Sequence, residues 1–243
     1  MNIGIKKSIM TKLVATKYKH NKRNTMMIDW YIGKRCNFAC SYCADFIHDN
    51  YSKHVLFEKM KIFVDKIVER YGTNIHWSLT GGEPTLNPDF IKLLEYLQDK
   101  KYEISVCTNG SRTIEYLWSM YKLVDNITYS LHFEHITPKL EEFTKKAYEL
   151  ERWRRWWNKN IPEDKYGWEL GQTQPKRLVA RFMVLPGFSK EIAELTQQFK
   201  DWGIEKIEHR VIRPQKDMFV AESKIKTDKG NYRWKTKPSV KDV

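Results

Sequence analysis

The chain has 243 residues, of which 41% are hydrophobic, 14% aromatic and 30% charged, which excludes disordered, collagen-like and low-complexity architectures. No run approaches the roughly 18 apolar residues of a membrane span, and the basic first 24 residues lack the apolar stretch and small-residue cleavage site of a secretory leader, so the expected location is the cytoplasm. The net charge of +13 sits at the ends: residues 1–24 hold seven Lys/Arg and no acid, residues 213–243 hold nine Lys/Arg and four acids, and 25–212 is left at +1.

This divides the chain into a basic N-terminal extension (1–24), a core (25–214) and a basic C-terminal extension (215–243). In chain order, Met27 to Gly33 reads as a first strand, followed by the triplet Cys36, Cys40, Cys43. His54 to Tyr71 carries apolar residues at helical spacing. Ile75 to Leu79 is a second strand, ending at Gly81-Gly82-Glu83-Pro84, and a helix follows Asn87-Pro88 with the face Phe90, Leu93, Leu94, Leu97. Glu103 to Cys107 is a third strand, closed by Thr108-Asn109-Gly110; Ile114, Leu117, Trp118 and Tyr121 mark the next helix. Ile127 to Phe133 is a fourth strand, with Ser130, His132 and Glu134 alternating on one face. A long helix is expected from Pro138 to about Trp157, with Trp153, Trp156 and Trp157 facing inward. The polar connection Asn158 to Lys176 has the length of a substrate cover. Leu178 to Leu185 is a fifth strand with Arg181, Ser189 opens a helix stopped by Gly203, and Lys206 to Ile212 is a sixth strand, ended by Arg213. Strands alternating with helices predict a parallel α/β sheet, in a doubly wound form or as a partial barrel.

The unusual motifs all fall after strand ends, where parallel barrels place their active sites. The spacing C-x3-C-x2-C places three thiols within eight residues. Structural zinc would need a fourth ligand, from His48, His54 or Cys107. A [4Fe–4S] cluster held by three thiolates would leave one iron open to a small molecule. Cys107 itself reads as a buried small residue.

CNFACSYC, with an aromatic residue just before its third cysteine, resembles the signature of the radical S-adenosylmethionine (radical SAM) superfamily. The resemblance implies a partial (β/α)6 TIM barrel. It implies that Cys36, Cys40 and Cys43 hold three irons of a [4Fe–4S] cluster, whose fourth iron takes the amino and carboxylate groups of S-adenosylmethionine (SAM). It further implies reduction by a one-electron donor such as flavodoxin or ferredoxin, SAM cleavage to a 5′-deoxyadenosyl radical, and hydrogen abstraction from an unidentified substrate.

Gly81, Gly82 and Glu83 resemble the glycine-rich motif for the SAM amino group, and also fit a plain turn. Thr108 and Asn109 would meet ribose or carboxylate oxygens. Ser130 sits at a SAM-contacting position, Arg181 would pair with the SAM carboxylate, and Tyr42 would lie beside adenine. His132 stands where an acid is frequent and is the candidate catalytic residue. No cysteine follows Ile127, which excludes a second cysteine-rich region for auxiliary clusters. Two alternatives stay open. One is a modifying enzyme whose RNA or peptide substrate is recruited by the basic ends. The other is a zinc- or iron–sulfur-binding module without enzymatic activity.

Overall fold

The computed structural model describes residues 25–44, 46–160, 175–185 and 187–212 in full, and the backbone of three short strands in the extensions. Six parallel strands form the frame: β2 (Met26–Tyr31), β3 (Ile75–Thr80), β4 (Glu103–Thr108), β5 (Asn126–His132), β6 (Arg177–Val184) and β7 (Lys206–Val211). They lie side by side in sequence order. A doubly wound sheet must reverse its strand order at a switch point. Here there is no reversal, so the chain winds in one direction as a partial barrel, and the sheet is not closed. β1 (Val14–Thr16) extends it antiparallel along β2, joining part of the basic stretch 1–24 to the sheet. A separate hairpin, β8 (Lys224–Thr227) and β9 (Gly230–Arg233), lies in the C-terminal extension.

Five crossovers cover one face of the sheet. They carry α1 (Phe57–Tyr71), α2 (Phe90–Asp99), α3 (Ile114–Leu123), the short α4 (Phe133–Ile136) with α5 (Leu140–Asn160), and α6 (Ser189–Asp201). The helix side of the sheet is apolar: Ile28, Trp77, Ile104, Ile127 and Phe182 meet the buried stripe Phe90, Leu93, Leu94, Leu97 of α2 and its counterparts. Each such side chain contributes about 1.5–3 kcal/mol when fully buried.

Some boundaries differ from the sequence reading. The first helix begins at Phe57 rather than His54, because Asp89 accepts from the Phe57 amide (3.1 Å) and Asn87 donates to the Val55 carbonyl (2.9 Å), holding the preceding residues extended. The fourth strand stops at His132, so Glu134 lies on α4 rather than on the strand face. The long helix begins at Leu140, after a single tight turn, Thr137–Lys139. Trp153 and Trp157 pack as expected (4.7 Å), and Trp153 meets Tyr121 at 4.9 Å. Trp156 is exposed, since it falls beyond the edge of that stripe. Arg213 and residues 161–174 lie outside the described residues. The ends of the 161–174 connection are tied by Asn158 and Lys176, which exchange hydrogen bonds of 3.0 and 2.8 Å. These ends sit at the start of β6, and the expected substrate cover between them lies outside the described residues.

Candidate functional site

The chain leaves β2 and forms a loop with a closed neck. Asp49 donates to the Lys34 carbonyl (2.9 Å), Cys36 donates to the Asp49 carbonyl (2.7 Å), and Arg35 and Asp49 form a parallel bridge. All three clustered cysteines lie on the resulting loop. Its base is docked on the β3 end: the Gly82 amide donates to Gly33 (2.9 Å) and the Glu83 amide to Arg35 (2.8 Å). A Cβ on Gly82 would lie 2.2 Å from the Lys34 carbonyl oxygen, and one on Gly81 would lie 2.5 Å from that of Gly33. Glycine is therefore required here for backbone to approach backbone.

Glu83 is buried, and its carboxylate accepts four hydrogen bonds. They come from the Thr85 amide (3.1 Å) and hydroxyl (2.6 Å), the Thr108 hydroxyl (2.8 Å) and the Asn109 amide (2.6 Å). Burial pushes this carboxyl up, and these donors oppose the shift. Glu83 thus locks the β3 and β4 ends together. Asn109 continues the chain of contacts, donating to the Asn37 carboxamide oxygen (3.0 Å) and approaching Cys36 Sγ (3.9 Å).

The β5–α4 corner grips the other half of the loop. Glu134 accepts from the Ser41 amide (2.9 Å), Tyr42 Oη lies 2.7 Å from His132 Nδ1, and Cys40 Sγ lies 3.4 Å from the same nitrogen. Phe38 stacks on His135 with centroids 4.8 Å apart. Burial pushes His132 down to about 4, so its ring is neutral at pH 7. Burial also raises Tyr42 and pushes Cys36 up to about 11. The mutual interaction of the Cys40 and Cys43 thiols raises the first and lowers the second.

Donor spacing bears on the metal readings. A tetrahedral zinc with Zn–S bonds of about 2.3 Å holds its ligand atoms within about 4 Å of each other. Among the described residues, the group with all donor atoms within 4.8 Å is Cys40, Glu134 and His135, and none contains all three cysteines. Cys36, Cys40 and Cys43 thus do not converge as one close donor group in the unliganded chain. His48, His54 and Cys107 do not join the close group.

Cys107 faces the inside of the sheet, with Ser130 Oγ at 3.6 Å and Arg181 Nη1 at 3.8 Å. It is half-buried rather than a core residue. Arg181 is already committed, through Nε and Nη2 at 3.0 Å, to Glu208 on β7. Around the loop, the structure therefore brings together Cys36, Tyr42, Gly81, Gly82, Glu83, Thr108, Asn109 and His132. Ser130 and Arg181 stand deeper, beside Cys107. Sequence reasoning did not assign Asn37, Phe38 and His135 to the site, because their contacts cross more than 70 residues of chain and follow no period.

Comparison with known proteins places this arrangement. The family model of the radical SAM superfamily matches residues 30–159, more than half of the chain. A S-adenosylmethionine-dependent nucleotide dehydratase of Selenomonas ruminantium is 31% identical over 84 residues, covering 35% of this chain and 30% of that protein. A probable GTP 3',8-cyclase of Sulfurisphaera tokodaii is 34% identical over 99 residues, covering 40% and 31%. The match thus spans about a third of each curated relative. A solved structure of anSMEcpe with AdoMet bound superposes over 77% of this chain and 51% of that one, with TM-score 0.53 and 16% identity, which shows the shared fold. Members of the family use a [4Fe–4S] cluster and SAM. A loop of three cysteines at the strand ends of an open parallel barrel is what such a pair requires, and the chain belongs to the radical SAM superfamily.

Proposed function

We propose that this protein is a radical SAM enzyme in which Cys36, Cys40 and Cys43 hold the cluster and the open iron takes SAM. The observation that carries the reading is the cysteine loop itself: its neck is closed by backbone bonds and its two halves are clamped by the β3–β4 ends and the β5–α4 corner. When bound, the cluster and SAM supply one-electron cleavage of the sulfonium to methionine and a 5′-deoxyadenosyl radical, which takes a hydrogen atom from the substrate.

The protein's part is positioning. The SAM ammonium falls to the Gly81–Gly82 backbone, since the Glu83 carboxylate accepts four internal hydrogen bonds. Thr108 and Asn109 act by holding that turn, and the Asn109 carboxamide reaches the loop at Asn37. Tyr42 and His132 hold each other with rings parallel within 8°, which offers a flat wall for adenine. His132, neutral and engaged with Tyr42, is a positioning residue in this reading. Ser130 faces the same interior, and Arg181, steered by Glu208, turns its remaining edge inward.

The core barrel 25–214 would carry this chemistry, with the basic extensions 1–24 and 215–243 outside it. The relatives' names favour a nucleotide as substrate. An RNA or peptide drawn by the basic ends is the second reading; most of those ends lies outside the described residues. Flavodoxin or ferredoxin would deliver the electron. No helix among the described residues is long and apolar enough to cross a membrane.

Oxygen-free purification and reconstitution, followed by iron and sulfide analysis and incubation with SAM and dithionite, test the reading. Four irons per chain and 5′-deoxyadenosine are expected. C36A, C40A and C43A should each lose both, while C107A should keep both. Zinc at these sulfurs, or no SAM cleavage by wild type, would overturn it.

A further inference from the structure

The concave face of the sheet carries a second group of reactive side chains, at the end away from the cysteines. On β3, Ile75, Trp77 and Leu79 are buried against the helices, so His76 points into the concave face. The same alternation on β4 turns Glu103 and Ser105 to that side. Parallel pairing sets His76 beside Glu103 and Ser105 beside Asn126 of β5. His76 precedes Gly81 by five residues, about 16 Å along an extended strand, which separates this group from the cysteine loop.

His76 has a partner at each ring nitrogen. Nε2 lies 2.7 Å from Ser105 Oγ, and Nδ1 lies 3.6 Å from the Glu103 carboxylate. A carboxylate beside Nδ1 favours the ring proton there, which leaves Nε2 to accept from the Ser105 hydroxyl. Asn126 donates its carboxamide N–H to the same serine oxygen (3.4 Å). Burial holds His76 below its ordinary value, with the Glu103 and Asp29 carboxylates opposing and Arg177 adding to the fall, so the ring is neutral and able to take a proton at pH 7. The His76 and Glu103 side chains keep 16% and 29% of their surface exposed, so solvent reaches the group. A hydroxyl, an imidazole and a carboxylate in this order are the parts of an activated nucleophile, recognised by geometry on any fold.

We propose that Ser105, His76 and Glu103 form a second catalytic site, which hydrolyses small uncharged or cationic carboxylic esters. Ser105 Oγ attacks the ester carbonyl carbon, and its proton passes to His76 Nε2. The tetrahedral oxyanion collapses, the C–O bond to the alcohol breaks, and the alcohol takes the proton from Nε2. Water then repeats the sequence on the acyl-serine, releasing the carboxylic acid and restoring Ser105. Asn126 Nδ2, already directed at Oγ, is a donor beside the developing oxyanion. Glu103 stabilises the imidazolium formed in each half, as its contact with Nδ1 tightens. Two carboxylates near the ring, Asp29 and Glu103, repel an anion, which favours an ester over a phosphate compound.

The test uses the reconstituted full chain, with p-nitrophenyl acetate and a fluorophosphonate as probes. Wild type should hydrolyse the ester. The fluorophosphonate should block that hydrolysis by labelling Ser105, located by peptide mass spectrometry. S105A should lose the label and the hydrolysis, H76A should slow both about a hundredfold or more, and E103Q should slow both about tenfold or more. The circular dichroism of all three should match wild type. No labelling of wild type, a label on another residue, or hydrolysis unchanged in S105A would overturn the site. The site does not depend on the cluster, so C36A should label at Ser105 as wild type does, and loss of the label there would also contradict it. Failure of wild type to cleave SAM while Ser105 is labelled would strike the radical SAM reading alone and support this one.

Discussion

Glu83 is the residue on which most of the local geometry turns. A motif that reads as a ligand loop is, in its side chain, a clasp: one buried carboxylate gathers donors from Thr85, Thr108 and Asn109. In E83Q one oxygen becomes an NH2 donor, which leaves a buried donor such as the Asn109 amide without an acceptor. Such an orphan costs about 1–3 kcal/mol, so the urea midpoint should fall by a corresponding amount, and an unshifted midpoint would contradict the clasp. Gly82 is the second such position. In G82A the added methyl meets the carbonyls of Lys34 and Arg35, so the cysteine loop must lift from β3. Overpacking of this kind costs about 1–3 kcal/mol. Iron retained after gel filtration should drop below wild type in G82A; equal retention would show that the loop does not depend on this contact. Glu134 makes the matching contact on the far side, and E134A, which frees the Ser41 amide, should release iron to a chelator faster than wild type.

At the scale of elements, the strands do two jobs with one alternation. Outward residues build the core with the helices, and inward residues line the concave face. Much of this was legible in the sequence. The run Ile75 to Leu79 alternates apolar and polar residues, and the α2 face Phe90, Leu93, Leu94, Leu97 repeats at helical spacing. The α5 end was less so, because Lys176 gives no periodic signal. Its ammonium is buried against Trp157 (4.9 Å) and Tyr121 (5.8 Å), and it donates to the carbonyls of Val124 (2.6 Å) and Lys122 (3.1 Å). Burial pushes it down from 10.5 to about 8, with Asp125 opposing. The unfolded chain therefore holds this proton more strongly between about pH 8 and 10.5, and the group's contribution to stability rises with pH across that window. A shift of this size corresponds to about 3 kcal/mol. The stability of wild type relative to K176M should be flat below pH 8 and move toward wild type above it; no change up to pH 10.5 would refute the buried charge.

For the whole molecule, the alternation of strands and helices left a doubly wound sheet and a barrel equally open, and the resemblance of the cysteine motif pointed to the partial barrel that the structure shows. The strand order decided between them, and strand order depends on pairing between segments that no local pattern encodes. The placement of motifs at strand ends was legible, because each follows its strand directly in the chain. The clamps at Glu134–Ser41 and Asn109–Asn37 were not, because they join residues 93 and 72 positions apart. These long-range contacts turn a flexible three-cysteine loop into a fixed cradle at the mouth of an open barrel. The most direct test of that account is electron paramagnetic resonance of the dithionite-reduced, reconstituted protein, with and without SAM. A [4Fe–4S] signal whose g-values shift when SAM is added is expected, because the iron without a thiolate gains a ligand. A signal that SAM leaves unchanged, or a protein that takes up no iron at all, would contradict it.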